Sequence, residues 1–561
     1  MVLKILIIVV IILHQNIVFS KMKVSTEFNQ RYLSNYFSAM LSYNNNDNEK
    51  SLKFFNSSKF LLNEHDNFLK QYSFSLVENG QVSKAITQLK YSKEKKGADF
   101  FEGKLLLILD SIKNEKFDDA NAILDEIEKY HEDGTYEFII FKTLKSYNKL
   151  FQNRKIINNN EDFGKLSFIT NAFQHCYLNS KKTNALFLNV FNPEESDYLR
   201  YLFFYISYLV QNYRYDDVRQ IARDIDPINS GLLVLQLKKW IDESNFKKIN
   251  NYFSCQNESN LLGEFFFLIA NLYSSEDRFK KSNFYLQISN YLNPGFHFNN
   301  SLIAENYFLN GNYILASKAL NKINKKDEIY NWYKIKKKGQ IIAEEKGEKQ
   351  SLKFIENSFK KIKDPNVKIL YDMGNIYKKF KKYEKSISYY SLVLSRIDPA
   401  SNTYADVLFR RGGSYERIEK YNLSDKDLQK SLEIYPEEPH VLNYLAYSWL
   451  ERKLNIEEAV DMLNRAYEQK KNDPYIIDSV GWGYYLIGDF VNAEKFLVQA
   501  VQLMPDDPIV NDHYGDILWM LDRKLQAKYF WKNVLKLEDT KEEMKKNIKK
   551  KLIYGPDKLN L

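Results

Sequence analysis

One cadence of small and aromatic residues recurs along this chain about every 34 or 35 residues, most clearly in its C-terminal half. In the copy at 366–399, the small residue Gly374 is followed three positions later by an aromatic residue. A second small residue, Ser386, stands twelve positions after the first, and a proline closes the copy. This spacing is typical of helix–turn–helix repeats, which bury their apolar faces against their neighbours. The cadence therefore predicts an all-α solenoid and favours binding over catalysis.

The second small residue of each copy gives the register of the repeats. A small side chain is expected there because the two helices of a repeat cross closely. The positions are Ser51, Ala85, Ala120, Ser282, Ala316, Ser351, Ser386, Ser424, Ala459, Ala493 and Ala527. Eleven repeats are thus predicted, three before and eight after a stretch in which the pattern is degenerate.

This register divides the chain into five predicted segments. They are a signal segment at 1–20, N-terminal repeats at 21–134, a degenerate helical region at 135–260, a C-terminal array at 261–535, and a capping helix with tail at 536–561. The last segment has an apolar residue every four positions (Met544, Ile548 and Leu552) among lysines and glutamates. One apolar stripe on a polar helix predicts a cap that covers the end of the solenoid.

The N-terminal segment predicts export. Lys4 precedes an apolar core at 5–13, and polar residues follow at 14–16. The core is short for a membrane span, so a secretory signal peptide cleaved before Lys21 is favoured. An uncleaved anchor over 2–19 stays open as the alternative. No cysteine lies near the cut, so no lipid anchor is expected, and the predicted location is the periplasm or cell envelope.

The two cysteines, Cys176 and Cys255, lie far apart and have no CxxC partner. One bridge between them is possible if the intervening region folds back, and this alternative stays open. Two buried free thiols are favoured, and no metal site can be built around either cysteine.

Charge and motif content argue against two functional classes. The 81 basic and 72 acidic residues give a net charge of +9, and they interleave except in the lysine-rich run at 545–551. A nucleic-acid binder would concentrate its charge on one face, so no nucleic-acid partner is predicted. No HExxH, phosphate loop or nucleophile elbow is present, and His513 with Asp516 offers a two-ligand geometry at most. A non-enzymatic protein without metal or cofactor is predicted.

Several repeats resemble the tetratricopeptide repeat family. The residues that carry the resemblance in one repeat are Gly374, Tyr377, Tyr383, Ser386, Tyr390 and Pro399, with equivalents at 412–436 and 481–505. The likeness is specific over 261–535 and weaker over 28–131, and it implies a right-handed α-solenoid. Serine stands where alanine is commoner in the family, which implies slightly looser packing.

The block that begins VLNYLAYSWLERKLNIEEAV at 441 is similar to tetratricopeptide proteins exported to the envelope of Gram-negative bacteria. Better understood relatives in that group are lipoproteins that act as adaptors for carboxyl-terminal processing proteases. The resemblance implies a scaffold that binds a partner protein or peptide and recruits substrates to such a protease. The alternative is a structural component of a periplasmic polysaccharide-export or outer-membrane assembly machine.

In such solenoids the first helix of each repeat lines the concave groove, which gives a set of candidate binding residues. They are His440, Asn443, Tyr447, Tyr475, Asp478, Trp482, Tyr485, Asp512, Asp516 and Trp519. Aromatic rings offer contact area and carboxylates orient a bound chain. The acids are expected to face the groove, because burying them unpaired is costly. For Trp482 and Trp519, roles in the groove and in helix packing both stay open.

Some family members clamp a carboxylate with lysine and asparagine at two groove positions. Here those positions hold Asn443 and Tyr447 in one repeat and Asp478 and Trp482 in the next, so this mode is excluded there. An upstream repeat carries Tyr371, Asn375 and Lys378, which predicts a more basic patch further along the groove.

Overall fold

The computed structural model describes residues 29–556, apart from 63, 93–95, 129–131, 133, 157–160 and 191–199. The predicted signal segment at 1–20 and the end of the predicted tail lie outside the described residues. Within the described part the regular elements are 30 α-helices and short 3-10 turns, with no strand. Consecutive helices pack in antiparallel pairs, so the predicted all-α solenoid of helix–turn–helix repeats is confirmed.

The chain forms two compact units. The first contains residues up to 225 together with 230–359, and the second contains 226–229 together with the chain from 360 onward. The boundary at 359 lies inside the predicted C-terminal array.

The first unit holds helices α1 to α19, which are Gln30–Asn44, Asn48–Ser57, Phe68–Glu78, Val82–Tyr91, Phe101–Lys113, Phe117–Ile127, Tyr136–Asn153, Lys165–Tyr177, Thr183–Val190, Arg200–Gln211, Tyr215–Arg223, Leu232–Asp242, Phe246–Tyr252, Glu258–Ser275, Phe279–Leu292, Asn300–Leu309, Tyr313–Asn321, Glu328–Lys346 and Glu348–Phe359. The second holds α20 to α30, which are Val367–Lys379, Tyr383–Leu394, Asn402–Glu416, Tyr421–Ile434, Pro439–Glu451, Ile456–Gln469, Pro474–Leu486, Phe490–Leu503, Pro508–Met520, Lys524–Val534 and Glu542–Tyr554.

Helix starts in the second unit follow from local sequence. The side chains of Asp473 and Asp507 accept hydrogen bonds from backbone N–H groups of the first turns of α26 and α28. Pro474 and Pro508 occupy the first helical position, where a missing N–H costs nothing. These two prolines therefore mark the repeat junctions, as the sequence predicted.

The small positions of the repeat let paired helices approach closely. A Cβ added to Gly374 would lie 2.6 Å from the ring of the fully buried Tyr390, the residue sixteen positions on. Ser386 donates a hydrogen bond of 2.9 Å from its hydroxyl to the carbonyl of Gly374, and Ser351 makes the same contact with Gly339 at 2.7 Å. At these two positions serine joins the paired helices by a hydrogen bond that alanine could not make.

Gly374→Val is expected to lower the free energy of unfolding of the second unit by about 2–3 kcal/mol, because the buried Tyr390 ring leaves no room for a side chain. Urea denaturation measures the change. Gly231→Val is the control, because a Cβ at Gly231 meets nothing within 4 Å. Equal stability of Gly374→Val and the wild type would contradict the packing described here.

In the first unit the degenerate region brings the chain back onto the N-terminal helices. Lys280 on α15 donates a hydrogen bond of 2.8 Å to the carbonyl of Tyr43 on α1. Lys281 pairs with Glu137 on α7 at 3.2 Å. Lys113 on α5 donates to the carbonyl of Tyr291 at 3.0 Å. Helices α14 and α15 thus pack against the first repeats rather than only against their sequence neighbours.

The two cysteines are joined in this unit. Cys176, near the end of α8, and Cys255, just before α14, form a disulfide with their Cα atoms 5.8 Å apart. Both are buried, as expected, but the expectation of free thiols is wrong. The physical reason is the return of the chain, which places residues 79 positions apart against each other.

Within the described residues, none of the helices has both the length and the apolar character needed to cross a lipid bilayer.

Candidate functional site

The candidate groove residues lie on α24, α26 and α28, the first helices of three successive pairs in the second unit. They differ in exposure along each helix. Exposed residues are His440 and Tyr475; half-buried residues are Asn443, Tyr447, Trp482, Asp512 and Trp519; buried residues are Asp478, Tyr485 and Asp516. Of the predicted side chains, only those at the starts of α24 and α26 are thus freely exposed to solvent.

Asp478 pairs with His513 across adjacent first helices. The Nδ1 atom of His513 lies 3.0 Å from the Oδ2 atom of Asp478, and both side chains are buried. The ring of Trp482 stacks on the His513 ring at 4.1 Å and on Tyr485 at 4.8 Å. Burial opposes the charged imidazolium, but the neighbouring carboxylates, Asp478 first, outweigh it and raise the pKa of His513. An ion pair sandwiched against an indole ring therefore links α26 to α28.

The carboxylates of Asp512 and Asp516, the last two acids of the predicted groove, form ion pairs with a lysine of α30. The Nζ atom of Lys551 lies 2.7 Å from Asp512 Oδ1 and 2.8 Å from Asp516 Oδ2. Asp516 Oδ1 also accepts a hydrogen bond of 3.2 Å from the indole Nε1 of the buried Trp531. The ring of Trp519 packs against Trp531, with ring centres 5.4 Å apart. Ile548 of α30 is fully buried, so one face of this helix packs against the rest of the second unit.

The expectation that the acids face an open groove is wrong for Asp478 and Asp516, which are 5% and 3% exposed. The physical reason is that each has a basic partner 35 residues further along the chain, so burial does not leave it unpaired. Trp482 and Trp519 both take packing contacts with neighbouring aromatic rings. These side chains join successive helices of the second unit.

Stability of the second unit is expected to fall as the pH rises from about 5 to 8. Burial, together with Asp512, raises the pKa of Asp516 to about 7, and the pKa of His513 is also raised. Both groups bind more protons in the folded than in the unfolded chain, so their stabilising effect is complete at low pH and is lost as the pH rises through their folded pKa values. Asp516→Asn should reduce this fall by about 2 kcal/mol. Urea denaturation at several pH values measures it, and an unchanged slope in Asp516→Asn would contradict the assignment.

An unpaired cation lies further along the same face of the second unit. A Cβ built on Gly413 of α22 would lie 3.3 Å from Nζ of Lys378, which projects from α20, and 3.4 Å from the hydroxyl of Tyr444 on α24. Lys378 is half-buried, and within the described part of the chain no carboxylate forms an ion pair with it. Burial, with the nearby Arg410 and Arg417, lowers the pKa of Lys378 to about 8. We call this cluster of Lys378, Arg410, Gly413, Arg417 and Tyr444 the Lys378 site.

The carboxylates around the Lys378 site form their ion pairs and hydrogen bonds with groups other than Lys378. Asp406 pairs with Arg410 at 3.1 Å and accepts a hydrogen bond of 2.8 Å from Tyr371. Glu416 pairs with Arg417 at 3.4 Å and accepts a hydrogen bond of 3.0 Å from Tyr444. Three cations thus face two carboxylates, which leaves one positive charge. A desolvated ammonium without a counter-ion is unfavourable, so the site is suited to an anionic group of a ligand.

The sequence indicated only part of this site. The basic patch predicted at Tyr371, Asn375 and Lys378 supplies the ammonium, but Arg410, Arg417 and Gly413 were missed. Gly413 follows the small residue Gly412 of the repeat, so a second consecutive glycine on the groove side of α22 was the available signal. Its missing side chain leaves the space beside Lys378.

A metal centre has no support among the described residues, where no group of three or more histidine, cysteine, aspartate or glutamate side chains could hold an ion. Within the described residues a histidine pairs with an acid at two places, His297 with Asp327 and His513 with Asp478. The second pair holds α26 and α28 together and is covered by the ring of Trp482.

Comparisons with known proteins agree with the repeat. Residues 367–397, which contain the whole of α20 and α21, match the family model for the tetratricopeptide repeat. The chain is 31% identical over 111 residues to TPR repeat-containing protein PA4667 of Pseudomonas aeruginosa. That match covers 20% of this chain and 19% of the relative, so the chain spans about a fifth of the length of the curated relative it matches.

Solved structures also match parts of this chain. A tetratricopeptide repeat protein from Parabacteroides merdae is 17% identical, with 45% of this chain and 97% of that chain covered and a TM-score of 0.37. MamA from Desulfovibrio magneticus RS-1 is 16% identical, with 31% and 97% covered and a TM-score of 0.27. Residues 367–397 are thus similar to the tetratricopeptide repeat, and the small position Gly374 of this stretch packs against Tyr390 of the paired helix.

Proposed function

We propose that this protein is a non-enzymatic scaffold whose second unit binds an acidic segment of a partner protein at the Lys378 site. The observation that carries the proposal is the half-buried Lys378 ammonium with no acid partner among the described residues. A carboxylate from a partner would provide the missing counter-charge in a partly dehydrated setting, where charged hydrogen bonds are strong.

The surroundings of Lys378 suit a polypeptide ligand. Phe409 is half-buried and packs edge-on against Tyr444 with ring centres 5.6 Å apart, so apolar and aromatic surface lies beside the charged group. The hydroxyl of Tyr444 and the guanidinium of Arg417 lie next to the ammonium and supply further polar contacts. Extended partner segments are bound by such mixtures of rings and a few fixed polar groups.

Site-specific photo-crosslinking in cells tests the proposal. A photoreactive phenylalanine analogue at Phe409 is expected to give discrete protein adducts that disappear when Lys378→Met is added. The matched control places the same analogue at Leu423, which is exposed on the second helix of the same repeat. Adducts that are equally strong at both positions, or that persist in Lys378→Met, would count against the site.

The cell envelope is the proposed location. The signal-like segment at 1–20 supports it, and so does the disulfide between Cys176 and Cys255, since such bonds persist mainly in oxidising compartments. Mass spectrometry of the mature N-terminus, with thiol alkylation of the protein taken directly from cells, tests both points. A mature chain that begins at Lys21 and resists alkylation is expected, whereas an intact N-terminus with two alkylated thiols would contradict the proposal.

Recruitment of substrates to a carboxyl-terminal processing protease is the specific role that the sequence resemblance suggests. Purification of the tagged protein from envelope extract, followed by mass spectrometry, distinguishes the roles. A processing protease that co-purifies with the wild type supports the adaptor role. Recovery of polysaccharide-export or outer-membrane assembly proteins instead would favour a structural role in such a machine.

A further inference from the structure

A cavity of about 360 Å³ lies in the first unit. It is lined by residues of α1, α3, α5 and α15. Much of its wall is apolar and aromatic, with Phe74 and Phe284 packed edge-on at 5.3 Å between ring centres. The return of α15 onto the N-terminal repeats builds this cavity, so it depends on the irregular part of the solenoid.

The acidic groups at the cavity outnumber the basic group that is available to balance them. Glu78 is 7% exposed, and its Oε1 atom accepts a hydrogen bond of 2.7 Å from the hydroxyl of Tyr43. Asn48 is a second hydrogen-bond partner of this carboxylate. Glu102 lines the same cavity and forms no ion pair with a described residue. Of the two lysines that line the cavity, Lys281 is paired with Glu137, which leaves the ammonium of Lys280 beside the two carboxylates. Two carboxylates and one ammonium leave a single negative charge.

The carboxylates of Glu78 and Glu102 both lie near the hydroxyl group of Tyr43. Burial, together with Glu78 and Glu102, raises the pKa of Tyr43 well above its usual range. Lys280 is held by the carbonyl of Tyr43 and lies over the Tyr43 ring, with its nitrogen 3.2 Å from the ring centre. It therefore has a fixed position at the wall.

We propose that this cavity, here called the Glu78 cavity, binds a monovalent organic cation with an apolar stem, such as an arginine or lysine side chain or a free aryl-alkyl amine. Glu78 and Glu102 would accept hydrogen bonds from the ammonium or guanidinium group. The rings of Phe74 and Phe284 would cover the stem and attract the cation through their faces. The volume of the cavity is in the range of small-ligand pockets.

Binding should strengthen with pH. Burial raises the pKa of Glu78 to about 7, with Lys280 and the Tyr43 hydroxyl acting in the opposite direction. The other titratable groups facing Glu78 are Glu102 and Tyr307. Ionised Glu78 rises from about one tenth at pH 6 to about nine tenths at pH 8. A cation that requires the carboxylate is therefore expected to bind about tenfold more tightly at pH 8.

Isothermal titration calorimetry on the full chain tests the proposal with two pairs of probes. The peptide pair is acetyl-Ala-Arg-Ala-amide and the same peptide with citrulline, which removes the charge and keeps the shape. The small-molecule pair is phenethylamine and 2-phenylethanol. The comparison of the two pairs shows whether a peptide side chain or a free amine is the better occupant.

The charged member of at least one pair should bind at least tenfold more tightly than its neutral counterpart at pH 8. Glu78→Gln, which preserves a hydrogen-bond acceptor for Tyr43, should abolish the pH dependence, and Glu102→Gln should weaken binding at every pH. Glu49→Gln is the matched control, because Glu49 is exposed and pairs with Lys318. Equal affinities within both pairs, no binding of either cation, or a pH dependence retained in Glu78→Gln would overturn the proposal.

Discussion

Replacement of both Cys176 and Cys255 by alanine is expected to lower the free energy of unfolding of the first unit by about 4 kcal/mol. The bridge closes a loop of 79 residues, and cross-linking so long a loop removes much conformational freedom from the unfolded chain. Both cysteines are buried in the folded protein, so contact of these positions with water does not offset the loss of the bridge. The bridge also ties α8 to the start of α14, the helix that begins the return onto the N-terminal repeats.

Hydrogen exchange in increasing urea, read by mass spectrometry, follows each unit separately. Peptides from the first unit should lose protection at lower urea in the double alanine variant, while peptides from the second unit should not change. Treatment of the wild type with a thiol reductant should reproduce the effect, and the same treatment should leave the alanine variant unchanged. A loss below about 1 kcal/mol, or a response of the variant to reductant, would show that the bridge does not hold this unit.

Lys378→Met is expected to abolish binding of the acidic partner segment and at the same time to stabilise the second unit by about 2 kcal/mol. The wild-type ammonium is held in a partly buried site beside two guanidinium groups, and its pKa is lowered to about 8. The folded chain therefore binds fewer protons than the unfolded chain between about pH 8 and 10.5, so wild-type stability rises with pH across this window. Methionine keeps the volume of the side chain and removes the charge.

Urea denaturation at pH 7, 8, 9 and 10 measures the stability change. Lys378→Met should be more stable than the wild type at pH 7, and this difference should shrink as the pH rises to 10. Lys426→Met is the matched control, because Lys426 is exposed on α23, and it should follow the wild type within about 0.5 kcal/mol. A Lys378→Met variant less stable than the wild type would mean that Lys378 already has a counter-ion in the folded protein.

The sequence predicted those features that depend on contacts within one repeat. Gly374, Ser386 and Tyr390 meet because they lie on two consecutive helices joined by a short turn, so their spacing alone defines the contact. The prolines at repeat junctions and the apolar stripe of α30 are local in the same sense.

Contacts between repeats were harder to predict. His513 reaches Asp478 because the first helices of adjacent repeats lie side by side, and this pairing over 35 residues is visible in sequence only once the register is known. The same spacing joins Tyr371 to Asp406. The bridge between Cys176 and Cys255 depends on how the degenerate region turns, which no periodic pattern describes.

The central claim, that Lys378 holds an acidic segment of a partner protein, is tested most directly by comparing the proteins captured from envelope extract. Tagged wild type, Lys378→Met and Lys426→Met are purified in parallel under low salt and quantified by mass spectrometry. At least one protein should be recovered with the wild type and with Lys426→Met and be lost at least tenfold with Lys378→Met. Recovery of the same proteins in equal amounts with all three would contradict the claim.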